Sequence, residues 1–152
     1  MKRFNLHGLI TLVIAAFMVI LSGCSATGPV YQQVGSVPEG EALVYIYRPG
    51  KFMGGGVVFD VHAGSVADDT EIVALRSGGY YPYFAPPGEL QLWAKTESKT
   101  SLTLDLNAGD RRYVKGTVGV GFLVGRPKLT EVDEQTGARE IKECKLLSPA
   151  ED

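Results

Sequence analysis

Two thiols, one histidine and a short acidic run are the side chains of this chain with the most obvious chemistry. Cys24 follows two small residues, Ser22 and Gly23, and Cys144 stands far off near the C-terminus. A thiolate is a nucleophile and a metal ligand, so each must be weighed as either. His62 is the only histidine after the first few residues. A nucleophilic triad needs such a base beside Ser, Cys or Thr. His62 falls on an alternating stretch with no nucleophile elbow, so an exposed strand residue is expected there. One His and one Cys, widely separated, make no transition-metal set. Asp68, Asp69 and Glu71 read as an acidic, solvated loop, and their spacing fits no EF-hand. No acid, base and nucleophile can be assembled, so no catalytic residue is assigned and no enzyme is expected. No metal ligand and no cofactor are assigned either.

Aromatic side chains form the other concentration. Tyr80, Tyr81, Tyr83 and Phe84 fall within five residues, and Trp93, Tyr45 and Tyr47 add to them. They can fill a core and pack across strands. Any of Tyr80, Tyr81, Tyr83, Phe84 and Trp93 on an outer face would be a contact for a protein or a sugar ring. Gly116, Gly119, Gly121 and Gly125 interrupt an apolar run. A dinucleotide fingerprint would need a helix after them. Val118, Val120, Phe122 and Val124 instead alternate through the glycines, so a strand is expected to continue there. The glycines then mark bulges, bends or close backbone approach. The alternative is an apolar flap that touches membrane or a partner.

Strands must position these groups. Ala42-Leu43-Val44-Tyr45-Ile46-Tyr47 is apolar on both faces, as a central strand is, and Pro49-Gly50 stops it. Alternation predicts strands at residues 57–62, 71–75 and 80–85. Leu90, Leu92 and Ala94 pair with Leu102, Leu104 and Leu106 as a hairpin. Residues 112–124 read as one long strand. Residues 128–132 and 138–142 flank Asp133-Glu134-Gln135-Thr136-Gly137 as a second hairpin. Ile141, Cys144 and Leu147 could instead share one side of a short helix. Seven to nine strands at this spacing predict an all-β fold, an antiparallel β-sandwich or small open barrel.

The N-terminus is of a different kind. Lys2 and Arg3 precede an apolar run from Leu9 to Leu21 broken only by Thr11. It is the length of a signal-peptide core and too short to span a bilayer comfortably. A retained membrane helix ending in an idle cysteine is the competing reading. Residues 1–23 hold two of the fifteen basic residues and none of the seventeen acidic ones. The remaining 129 residues therefore carry thirteen basic against seventeen acidic side chains, a net charge of −4. That balance excludes a nucleic-acid partner and a polybasic grip on lipid. Residues 24–40 are rich in Gly, Pro, Ser and Gln and read as a flexible tether. The sandwich is expected over 41–147, with a tail at 148–152.

Leu21-Ser22-Gly23-Cys24 resembles the lipobox of bacterial lipoprotein signal peptides. The resemblance implies that Cys24 is alkylated by diacylglycerol, becomes the new N-terminus after cleavage, and is acylated. Several acyl chains suffice for stable membrane anchoring. Ser25 is not the aspartate that such lipoproteins use for inner-membrane retention, which implies the outer membrane, periplasmic face. Cys144 is then the only other thiol, either a half-buried hydrophobe or half of an intermolecular disulfide. Residues 42–49, 87–92 and 104–110 are similar to a family of small bacterial lipoproteins with a β-rich domain of unknown function, and to PEGA-like or prealbumin-like sandwiches. That likeness implies an envelope protein with a non-catalytic sandwich that binds another envelope protein. A glycan- or peptidoglycan-binding module is the alternative.

Overall fold

The computed structural model describes residues 25–51, 54–65, 68–122 and 124–150, without the side chains of Asp68 and Asp69. The expected signal peptide, its cleavage site and Cys24 lie outside them. Among the described residues nine strands are present: β1 (Ala42–Arg48), β2 (Phe59–Ser65), β3 (Asp68–Leu75), β4 (Gly79–Ala85), β5 (Gly88–Lys95), β6 (Lys99–Leu106), β7 (Arg111–Gly119), β8 (Arg126–Val132) and β9 (Lys145–Leu146). They form a five-stranded sheet, β8-β7-β1-β4-β9, and a four-stranded sheet, β3-β2-β5-β6. The all-β sandwich is therefore present, as two open sheets. Most pairings are antiparallel, but β1–β7 and β4–β9 run parallel. The chain enters β7 from the opposite sheet through the turn Asn107–Asp110, and that entry sets its direction.

Alternation builds the core between the sheets. Val44 and Ile46 of β1 face Phe59 and Val61, Val73 and Leu75, Leu92 and Ala94, and Leu104 and Leu106. All seven residues of β1 are buried, as a central strand apolar on both faces must be. Its other face, Leu43, Tyr45 and Tyr47, is covered by a second apolar cluster with Tyr80, Tyr113, Ile141 and Cys144. The expected β5–β6 hairpin forms, and its register sets Leu92 opposite Leu102. Gly116 has a packing reason: a Cβ there would lie 2.4 Å from Leu75 Cδ2.

Four expectations change. The run 112–124 is not one strand, because β7 stops at Gly119 and a loop returns the chain to β8. The second hairpin is a helix, α1 (Glu134–Glu140), followed by a 3-10 turn, Ile141–Glu143. Asp133 caps it by accepting a hydrogen bond from Thr136 N at 2.9 Å, and Glu134 and Arg139 sit at the dipole ends that suit their charges. The acidic run is not a loop, since Asp68, Asp69 and Glu71 lie on β3. Finally, residues 25–34 are bound to the sandwich. Ser25 bridges Ser77, Tyr31 N donates to the Cys144 carbonyl, and Leu146 N donates to that of Pro29. Tyr31 inserts edge-on against Tyr45 and Tyr80. Packing of one aromatic ring and these ladder bonds overrides the loose composition. Among the described residues no helix is long and apolar enough to cross a membrane.

Candidate functional site

The strand β4 distributes the aromatic segment over both faces of its sheet. Tyr81 and Tyr83 point inward and pack on the main core. Tyr80 points outward and is buried in the second cluster. Phe84, also on the outer side, is 37 % exposed. The segment is thus mostly structural, and Phe84 is its one open aromatic. Burial raises the Tyr83 hydroxyl above its ordinary pKa, with the neighbouring Tyr81 adding to it.

Trp93 is on the other sheet, away from β4. The β2–β5 register sets His62 opposite Trp93. Their rings stack at 4.1 Å with 8° between planes. Lys99, from β6 on the far side of β5, holds its ammonium 4.8 Å from the Trp93 ring. Both faces of the indole are occupied. His62 is therefore a half-buried stacking partner rather than an exposed strand residue.

The outer face of the five-stranded sheet is closed by α1 and residues 31–37. Tyr45 and Tyr113 stack at 5.2 Å, and the Tyr45 hydroxyl accepts from Val34 N at 2.8 Å. Tyr47 donates to Glu140 at 2.8 Å, and Lys115 Nζ donates to the same carboxylate at 2.8 Å. Lys115 chiefly, then Tyr47, holds Glu140 below the usual glutamate range. Cys144 is fully buried beneath this layer. Burial, then the charges of Glu143 and Glu140, pushes its thiol up to about 12. A protonated, inaccessible thiol is unsuited to nucleophilic work. It is equally unsuited to the intermolecular disulfide. Among the described residues no group of three or more His, Cys, Asp or Glu is placed to hold a metal.

One feature stands out against this closed surface. The loop joining β7 and β8 exposes Val120 at 92 %, Phe122 at 91 % and Val124 at 52 %. Its backbone is nonetheless organised. The Glu97 carboxylate accepts from Phe122 N and Val124 N, and Thr96 Oγ1 donates to the Gly125 carbonyl at 2.6 Å. A Cβ on Gly121 would fall 2.5 Å from Gly125 and 2.6 Å from Glu97, and Gly125 takes φ +103°. The glycines let the chain wrap the carboxylate, and the apolar side chains turn outward. The sequence signal was the alternation through glycines, but alternation reads equally as a strand. A cleft of about 590 Å³ lies elsewhere, lined by Ser25–Gly28, Glu71, Arg76 and Leu146–Ala150. Compared with protein-family models, with curated proteins and with solved structures, the chain matches none.

Proposed function

We propose that this chain is a bacterial envelope lipoprotein, anchored by acylated Cys24, whose sandwich is a non-catalytic module for binding another envelope protein. The observation that carries the reading is the sequence Leu21-Ser22-Gly23-Cys24 after a basic start and a short apolar run. Ser25, the residue after Cys24, is held to the sandwich by its bridge to Ser77, which is compatible with an anchor at Cys24. The absence of an inner-membrane retention aspartate at Ser25 favours the outer membrane, and the periplasmic face is the proposed location. The resemblance of residues 42–49, 87–92 and 104–110 to β-rich lipoproteins adds to it. Phe84, exposed on the outer side of β4, is the contact residue proposed for the protein partner. The glycan alternative loses support at Trp93, whose ring faces are already covered by His62 and Lys99.

Two experiments test this. Cys24→Ala is expected to block processing and shift gel mobility, and unchanged mobility would end the lipoprotein reading. Crosslinking of the full-length protein in cells, gentle solubilisation and mass spectrometry are expected to return one dominant envelope protein, reduced by Phe84→Ala. Recovery of peptidoglycan fragments instead would replace the protein partner with a glycan.

A further inference from the structure

The loops at the two ends of this sandwich differ in charge and in apolarity. Arg48 and Phe59 end the strands joined by residues 49–58, so the same end holds residues 76–78, 96–98 and 120–125, and Ser25 beside Ser77. That end carries Lys51, Arg76, Lys95, Lys99, Arg126 and Lys145 against Asp60, Glu97 and Glu143. Of these, Glu97 is turned onto the backbone of the 120–125 loop. The opposite end holds Glu39, Glu41, Glu89, Asp105, Asp110, Glu131, Asp133 and Glu134 against Arg111 and Arg112, and so stays acidic. An overall negative chain therefore has one basic end, and that end carries the exposed Val120, Phe122 and Val124.

Chain direction places this end next to the anchor. The bridge between Ser25 and Ser77 leaves a single peptide bond between the sandwich and Cys24. A docked segment cannot act as a long spacer. In the five-stranded sheet β7 stands three strands from β9, about 14 Å at roughly 4.8 Å per strand. Tyr47 is level with Lys115, so β7 runs three residues past Arg48, about 10 Å at roughly 3.3 Å per residue. Val120 and Phe122 follow the last residue of β7 and are 92 % and 91 % exposed. Residues 120–125 carry no charged side chain.

We propose that this loop is a second membrane contact. Val120 and Phe122 enter the boundary between headgroups and acyl chains of the same bilayer that holds Cys24, and the basic residues of that end face anionic headgroups. Exposed apolar side chains at a basic end are the surface chemistry of a lipid interface. The inference rests on the anchor proposed above, and it fixes the orientation of the sandwich: acidic end and Phe84 away from the membrane.

The test uses full-length protein purified from membranes and reconstituted in vesicles of phosphatidylethanolamine and phosphatidylglycerol containing doxyl-labelled lipid. Val120→Cys carries an environment-sensitive dye; Ala108→Cys, in the exposed turn at the opposite end, is the reference. Native Cys144 is buried and does not compete for label. The expected result is a blue-shifted dye at 120, quenched several-fold more by doxyl lipid than the dye at 108. Equal quenching at both positions overturns the proposal. A blue shift without lipid quenching also overturns it, because it places a protein on the loop. Mass spectrometry of the Cys24 peptide from the same sample reads the anchor separately. Acylated Cys24 with an unquenched loop defeats the loop alone, and unmodified Cys24 defeats the anchor and this inference with it.

Discussion

Gly137→Ala is a substitution for which two physical terms oppose each other. Gly137 is the buried residue in the middle of α1, and no left-handed backbone angle requires glycine there. On helix propensity alone, alanine would stabilise by about 1 kcal/mol. The added Cβ, however, would lie 2.3 Å from Tyr113 Cγ and 2.5 Å from both its Cβ and Cδ1. Tyr113 cannot retreat, because its ring stacks on Tyr45 and is 2 % exposed. Overpacking a rigid core costs about 1–3 kcal/mol, and contacts this short belong at the upper end. The net expectation is a loss of about 2 kcal/mol. At about 3–5 °C per kcal/mol for a domain of this size, the melting temperature should fall by roughly 6–10 °C. Urea unfolding followed by far-UV dichroism and by Trp93 fluorescence would measure it. Gln135→Ala, on the exposed side of the same helix, should change stability by less than about 0.5 kcal/mol. An unchanged or raised melting temperature for Gly137→Ala would refute the close packing of α1 on Tyr113.

Four further outcomes follow from the same packing. Tyr45→Phe removes the acceptor for Val34 N, and should cost about 1 kcal/mol and speed amide exchange at Val34. Glu140 has a depressed folded pKa, so its contribution is full above the ordinary glutamate value of about 4.3 and disappears as pH falls through the folded value. Acid titration of stability should therefore be shallower in Glu140→Gln, with a loss under about 1 kcal/mol at neutral pH because the pair is partly exposed. Cys144 should resist thiol reagents in the native protein and label only as it unfolds, and rapid native labelling would contradict its burial. Phe122→Ser should leave stability within about 0.5 kcal/mol of the parent, whereas a large loss would mean the side chain is not exposed.

Where burial is one-sided or complete, local pattern and tertiary outcome agree. Ala42–Tyr47 had to be a central strand because both faces are apolar, and β1 lies third of five. The β5–β6 hairpin was legible because period-two alternation fixes which face is buried, and a slip of one residue would expose Leu92 and Leu104. The sequence leaves a hairpin and a short helix over residues 141–147 both open, and the helix forms earlier, at Glu134–Glu140, where Asp133 and Gly137 are turn formers as well as a cap and a packing site. Nothing local distinguishes those roles; the Tyr113 ring does. Residues 25–34 read as a tether for a similar reason. Gly, Pro and Gln have no periodicity, yet Tyr31 finds two tyrosine rings from β1 and β4. Phe122 reads as a strand residue because alternation cannot tell a pleated strand from a loop turned outward around Glu97.

The sequence by itself determined the strand-rich class, the central strand, the first hairpin and the distinct character of the segment that ends at Cys24. These depend on neighbours within a few residues, so periodicity and composition suffice. Only the tertiary structure decided that Tyr80 is core and Phe84 surface, that Trp93 is enclosed by His62 and Lys99, and that Cys144 is sealed. It also gathered Lys51, Arg76, Lys95, Lys99, Arg126 and Lys145, scattered along the chain, at one end beside the Val120–Phe122 tip. Net charge is a sum over the chain and hides this separation. Strand direction creates it, because alternate turns of a sandwich fall at the same end.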